Sequence, residues 1–325
     1  MYFTYERPAF DVNDPGEIQR VIREAYENGL ENAQLSVEDG SGKAADYIPE
    51  LAKAKADEFG LCVKANDGGM ICHGETKKRF TIQSISKVIN LAVSLKYFGF
   101  RETFSYVQME PSGDDFNSII KLDMVSNLPF NPMINAGAIQ VMSLLSENFE
   151  FEELLDFARK LCMDDDIVLN EAVYRSESRT GDRNRAIAYI LKSKGILQGD
   201  PDKTLDMYFK MCSLSVNAES LAGLGLVLAN NGQNPFTGKH FIHRGYIRTI
   251  RSLMYTCGLY NESGKYAVLV GIPSKSGVGG GITACVPGRW GIGTFGPALN
   301  KKGNSIGGIA ALQHMSHMLH LNTFD

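Results

Sequence analysis

In the segment QSISKVINL, Ser84 and Lys87 stand three residues apart at the head of an apolar run. That spacing puts a hydroxyl and an amine on one face of a helix. A serine hydroxyl is a weak nucleophile until a base takes its proton, and a lysine can be that base only as a neutral amine. Burial supplies the neutrality, because desolvation lowers a lysine pKa by about 3–5 units from roughly 10.4. A helix start assists twice: its positive dipole end disfavours the ammonium, and its unpaired N–H groups can hold an oxyanion. S-x-x-K alone recurs by chance. A lysine on an otherwise apolar helix sets this copy apart.

A second element, Lys275-Ser276-Gly277 in IPSKSGVGGGI, falls between two segments of strand character. It resembles the K-[ST]-G signature that accompanies S-x-x-K in serine β-lactamases and penicillin-binding proteins. A glycine-rich hairpin turn has the same composition, but the two motifs in this order point to an active site. Glycines 277, 279, 280 and 281 let backbone N–H groups approach a reacting carbonyl closely. Ser215-Val216-Asn217 formally matches the S-x-N element of those enzymes, yet it lies far from Ser84 and near Lys275 along the chain, and is read as structural.

Other patterns carry less. Gly291, Gly293 and Gly296 satisfy G-x-G-x-x-G, but Pro297 follows and no helix start fits, which argues against dinucleotide binding. His314, His317 and His320 share a helix face without an acidic or thiol partner nearby, so no metal site is expected. Asp164 to Asp166 read as helix-start charges.

The elements that must position these groups follow from periodicity. Asp14 and Pro15 announce a surface helix with Gly29 near its end. Residues 61–75 form a hairpin around Asp67-Gly68. From Gln83 to about Tyr97, apolar residues cover most of a helix circumference, the mark of burial. Residues 103–257 look helical, with no convincing strand. Strand character returns in KYAVLVGI, GGITACVP and WGIGTF, and a helix from about Ser305 to Leu321 closes the chain. Strands flanking a helical middle predict an α/β (α+β) architecture. An antiparallel sheet is built from residues 1–100 and 258–325, with an all-helical domain, 101–257, inserted between them.

The chain has 325 residues, 44% hydrophobic and 22% charged, which suits a globular protein with a real core. Its net charge of -4, with no basic block, argues against nucleic acid. The opening MYFTYERPAFDVNDPGE lacks the basic end and apolar stretch of a secretory peptide, so a cytoplasmic location is expected. The apolar stretches are too short or too interrupted to span a membrane. Six cysteines without a C-x-x-C pair suggest buried thiols in a reducing compartment.

Taken together, DYIPEL, TIQSISKV, EPSG, NPMINAGAI, RSESRTGDRNRAIAY, LDMYFKMCS, SLMYTCGLYNESGKYA and KSGVGGGI, in this order, resemble the serine-dependent glutaminase family over roughly residues 20–320. The resemblance implies a β-lactamase-like fold, hydrolysis of L-glutamine to L-glutamate and ammonia, no cofactor, and a homodimer or homotetramer. Carried over by position, it makes Ser84 the nucleophile, Lys87 its activating partner, and Tyr260 a proton relay or an acid for ammonia departure. The oxyanion hole becomes the backbone N–H groups of Ser84 and Val278, and substrate-binding positions fall on Tyr47, Asn135, Glu177, Asn184 and Tyr208. Whether Lys87 or Tyr260 is the base in each half reaction stays open.

These identities suit a free amino acid, whose charged ends must both be satisfied when desolvated. Glu177 can pair with the ammonium, while Asn135, Asn184 and Tyr208 can donate to the carboxylate. Peptide-bound glutamine would leave such groups unpaired and be rejected. Two competing readings keep the scaffold. A β-lactam-reactive hydrolase or peptidase would normally act outside the cytoplasm, and a non-catalytic binding protein would be expected to have replaced Ser84, Lys87 or Tyr260.

Overall fold

Among the described residues, eight strands occur in chain order: β1 (Gly60–Ala65), β2 (Met70–Gly74), β3 (Phe80–Thr81), β4 (Val168–Leu169), β5 (Leu214–Val216), β6 (Ser274–Ser276), β7 (Gly281–Val286) and β8 (Trp290–Phe295). The structure is a computed structural model that describes residues 11–112 and 128–325. Gly113 of the EPSG block and the first ten residues of the opening fall outside it. The expected hairpin is β1–β2, with Gly68 at φ 93° in its turn. It continues into a five-stranded antiparallel sheet of order β2-β1-β8-β7-β6, drawn from both ends of the chain.

One face of this sheet buries Leu61, Val63, Ile282, Ala284 and Ile292 against Val21, Ile22 and Ala25 of the helix Pro15–Glu38 and Ala311, Leu312 and Met315 of the helix Ile306–Leu319. The first helix does not stop near Gly29. A Cβ there would sit 2.4 Å from the Phe59 ring and 2.9 Å from the Gly307 carbonyl, so this glycine serves close helix packing rather than a helix end.

The other face is covered by the helix Ala218–Ala229. A Cβ on Gly291 would lie 2.0 Å from Leu226 N, and one on Gly293 2.0 Å from Ala218 O. Gly291 and Gly293 therefore admit a helix backbone onto the strand, while a Cβ on Gly296 would meet Ser305 Oγ at 2.7 Å and the Phe59 ring at 2.9 Å, so the pattern occurs without a nucleotide fold.

The remaining helices build a second apolar cluster, in which the helix Ser86–Tyr106 packs against Asn135–Ser146, Phe151–Cys162 and Arg244–Cys257. Ser86–Tyr106 runs past Tyr97 and is interrupted at Gly99, φ 78°.

Several sequence expectations need correction. The middle of the chain does contain strands: β4 and β5 pair with β3 in a small sheet of order β3-β5-β4. Two or three residues are too few to show alternation. Most of KYAVLVGI is not a strand, since Lys265 to Leu269 belong to the helix Ser263–Leu269, with Tyr266 buried and Val268 exposed. A short apolar run does not by itself separate the two states. Asp164 to Asp166 precede β4 rather than a helix, and Asp164 accepts from Arg79 and the Ser220 hydroxyl. Cys62 and Cys72, directly opposed across the hairpin, form a disulfide, whereas Cys162, Cys212, Cys257 and Cys285 are free and buried. The pairing comes from strand register, which Cys spacing alone did not reveal. Ser215 and Val216 lie in β5, and Asn217 caps the helix Ala218–Ala229 by accepting from Ser220 N at 2.8 Å.

Among the described residues, no helix is long and apolar enough to cross a membrane, and no group of three His, Cys, Asp or Glu side chains could hold a metal ion.

Candidate active site

Ser84 sits in the short 3-10 turn Gln83–Ile85, between the end of β3 and the start of the helix Ser86–Tyr106. Gln83 takes φ 50°, a left-handed conformation for a residue with a side chain. Such conformations cost of order 1–3 kcal/mol and persist where the surroundings impose them. Here the Ser86 hydroxyl donates to the Gln83 carbonyl at 2.7 Å, and the glycine loop after β6 presses from the other side. A Cβ on Gly277 would lie 2.7 Å from Ile82 O, and one on Gly279 2.3 Å from Thr81 O. Only glycines on both sides of Val278 allow this backbone-on-backbone approach, which brings Val278 to the same cavity as Ser84.

Lys87 is 1% exposed and its Nζ donates to Ser84 Oγ at 3.1 Å. Burial lowers its pKa to about 8, against weaker opposing fields from Cys212 and Glu177. Lys87 also donates to Asn135 Oδ1 at 2.7 Å, and Asn135 Nδ2 donates to Asn184 Oδ1 at 2.9 Å. This chain fixes the orientation of both amides. A neutral amine that gives one hydrogen to Asn135 keeps a lone pair for the serine proton.

One cavity is lined by Tyr47, Ser84, Asn135, Glu177, Asn184, Tyr208 and Val278, together with Gln83, Arg183 and Cys212. Glu177 comes from the helix Glu171–Thr180, Asn184 from Asp182–Ser193 and Tyr208 from Pro201–Cys212. Glu177 is 7% exposed, and burial raises its pKa to about 7, opposed by a hydrogen bond from Gln83 and by the charge of Lys87. Tyr208 is buried and its phenol pKa is raised by desolvation, whereas Tyr47 is more than half exposed at the cavity mouth. Burial pushes the Cys212 thiol up to about 12, which keeps it protonated and unreactive.

Tyr260 does not line this cavity but is hydrogen-bonded to Ser84 and to the Val278 backbone and donates to Ser276 O at 3.3 Å. Burial raises its pKa, and its φ of 54° is a second left-handed non-glycine residue beside Ser84.

Two residues of the site received no role from sequence. Gln83 donates to Glu177 Oε2 at 3.4 Å and to Thr81 Oγ1 at 3.2 Å; its one signal was a polar side chain immediately before Ser84. Lys275, noticed only as part of a motif, is fully buried. It donates to Gly258 O at 3.0 Å and Ser276 O at 2.6 Å, with Nζ 4.4 Å from the centre of the Tyr260 ring. Burial, and then the charge of Lys87, hold its pKa well below the usual lysine value.

Known proteins resemble this chain over most of its length. The glutaminase family model matches residues 42–324. The chain is 51% identical over 307 residues to Glutaminase 2 of Clostridium perfringens, covering 93% of this chain and 100% of that protein. It is 48% identical over 287 residues to a glutaminase of Clostridioides difficile, covering 87% and 93%. Among solved structures, the probable glutaminase ybaS superposes with a TM-score of 0.90 at 36% identity, covering 96% of this chain and 99% of that one. The Bacillus subtilis glutaminase YbgJ, solved as a covalent complex with 5-oxo-L-norleucine after reaction with 6-diazo-5-oxo-L-norleucine, gives 0.82 at 36% identity, covering 96% and 100%. The architecture is thus the β-lactamase-like one that the sequence resemblance implied, and the chain belongs to the glutaminase family.

Proposed function

We propose that this glutaminase hydrolyses L-glutamine to L-glutamate and ammonia with Ser84 as nucleophile and Lys87 as its base. The observation that carries the reading is the buried Lys87 amine 3.1 Å from the Oγ of Ser84, which lines a cavity that also offers one carboxyl and several amide and phenol groups. Glu177 pairs with the substrate ammonium, while Asn135, Asn184 and Tyr208 donate to its carboxylate, with Tyr47 at the mouth. Ser84 Oγ bonds to the side-chain amide carbon as its proton passes to Lys87 Nζ. The backbone N–H groups of Ser84 and Val278 hold the oxyanion. Collapse breaks the C–N bond as Tyr260 relays to the departing ammonia the proton that Lys87 holds, which leaves Lys87 neutral again. Water then attacks the glutamyl ester, its proton passing to Lys87 and from there to the departing Ser84 Oγ.

A homodimer or homotetramer accompanies this reading, supported by the family resemblance and checked by light scattering on the purified protein. The activity itself is tested by ammonia release from free glutamine, asparagine, γ-glutamyl peptides and a penicillin. Glutamine is expected to be turned over far faster than the rest, with no penicillin acylation. Equal rates on peptide-bound glutamine would contradict a site built around both charged ends.

A further inference from the structure

Tyr260 is held in its left-handed conformation by a network outside the substrate cavity. Ser263 Oγ donates to Tyr260 O at 2.8 Å and accepts from Leu259 N at 3.0 Å. The next carboxylate along, Glu262 Oε2, accepts from Asn300 Nδ2 at 2.8 Å and Asn304 Nδ2 at 2.7 Å. Asn304 Nδ2 also reaches Leu259 O at 3.3 Å. Both asparagines belong to a tight loop closed by Asn300 N to Asn304 O at 2.9 Å, and its Gly303 lies where an added Cβ would meet Val278 Cγ1 at 3.4 Å and Tyr260 Cε2 at 3.7 Å. Leu299, beside the loop, packs with Ala45, Tyr260 and Val278 in one apolar cluster.

We infer that Glu262 is a positioning residue, an anchor that ties the Tyr260 turn to the Asn300–Asn304 loop and so holds the phenol where it can protonate the departing ammonia. An ionised carboxylate accepting two amide N–H groups makes charge-assisted bonds, stronger than neutral ones. The same loop backs the Tyr260 ring, which a Cβ on Gly303 would meet at 3.7 Å, so the anchor sets the proton donor relative to Ser84. Glu262 does not line the substrate cavity. Its loss should therefore leave binding intact and impair the step that needs the phenol in place. A misplacement of about 1 Å in a catalytic group can cost about 10²-fold.

The inference rests on the proposed roles of Ser84 and Tyr260, and the substrate pair chosen for the test separates the two. For Glu262→Ala, kcat on glutamine is expected to fall about 10- to 100-fold with KM within about twofold. Glutamate γ-methyl ester, whose leaving group depends less on a proton donor, should lose much less. Glu262→Gln, which keeps an acceptor oxygen, should recover most of the rate. An unchanged kcat on glutamine, or equal losses on amide and ester, would overturn the inference. A wild-type protein inactive on glutamine would instead overturn the proposed function. If Glu262→Ala does not fold, Asn300→Ala and Asn304→Ala remove one donor each and are read by the same amide-to-ester ratio.

Discussion

Replacing Lys87 by alanine is expected to lower kcat for glutamine almost as far as replacing Ser84, about 10⁴-fold or more in each case, with the double variant falling no further. A nucleophile and its base act as one unit: without the amine the hydroxyl keeps its proton, and without the hydroxyl the amine has nothing to activate. The geometry makes substitution by another group difficult. Lys87 Nζ is held between Ser84 Oγ at 3.1 Å and Asn135 Oδ1 at 2.7 Å, and the next lysine, Lys275, is committed to two backbone carbonyls. Initial rates of ammonia release, with thermal unfolding as a control for folding, measure the effect. Lys87→Met, which keeps the buried volume, should be as inactive as Lys87→Ala. Substantial activity in either lysine variant would show that another group takes the serine proton.

Glu177→Gln is expected to reduce kcat/KM by about 30- to 5,000-fold, the range that follows from a cost of about 2–5 kcal/mol for leaving one member of a buried charge pair alone. Most of the loss should appear in KM, because the ammonium that Glu177 meets is distant from the bond being broken. The pH dependence carries a sign. Glu177 must be ionised to receive the ammonium, and burial sets its pKa to about 7. Lys87 must be neutral to act as base, and burial sets its pKa to about 8. Both requirements make wild-type kcat/KM rise with pH, steeply below about 7 and less steeply between about 7 and 8. In Glu177→Gln the limb near 7 should disappear and the one near 8 remain. A variant whose profile keeps both limbs would remove Glu177 from the binding role.

The parts of the site that were legible residue by residue are those made by local spacing. Ser84 and Lys87 meet because positions i and i+3 face the same way at a helix start, and glycines around Val278 announce a backbone approach. Glu177, Asn184, Tyr208 and Tyr260 come from separate segments, and nothing local says that they converge; only the order of blocks along the whole chain, through resemblance, grouped them. Gln83 and Asn135 show the limit of that route. Their partners, Glu177 for one and Lys87 for the other, are tertiary contacts.

The same division runs through the fold. β7 and β8 were readable because six-residue buried runs bounded by Gly and Pro leave few alternatives. β4 and β5 were too short to register, and the helix Ser263–Leu269 resembles a strand because its apolar run is short. Gly291 and Gly293 mimicked a nucleotide motif, and only the helix lying on them explains their spacing.

The most direct measurement is to incubate the protein with 6-diazo-5-oxo-L-norleucine, the reagent that gave the covalent complex of the Bacillus subtilis relative, and to locate the adduct by peptide mass spectrometry. The expected result is a single 5-oxo-norleucyl adduct on the peptide carrying Ser84, absent in Ser84→Ala and slowed in Lys87→Ala. An adduct on any other residue, or labelling of Ser84→Ala at the wild-type rate, would contradict the Ser84–Lys87 mechanism.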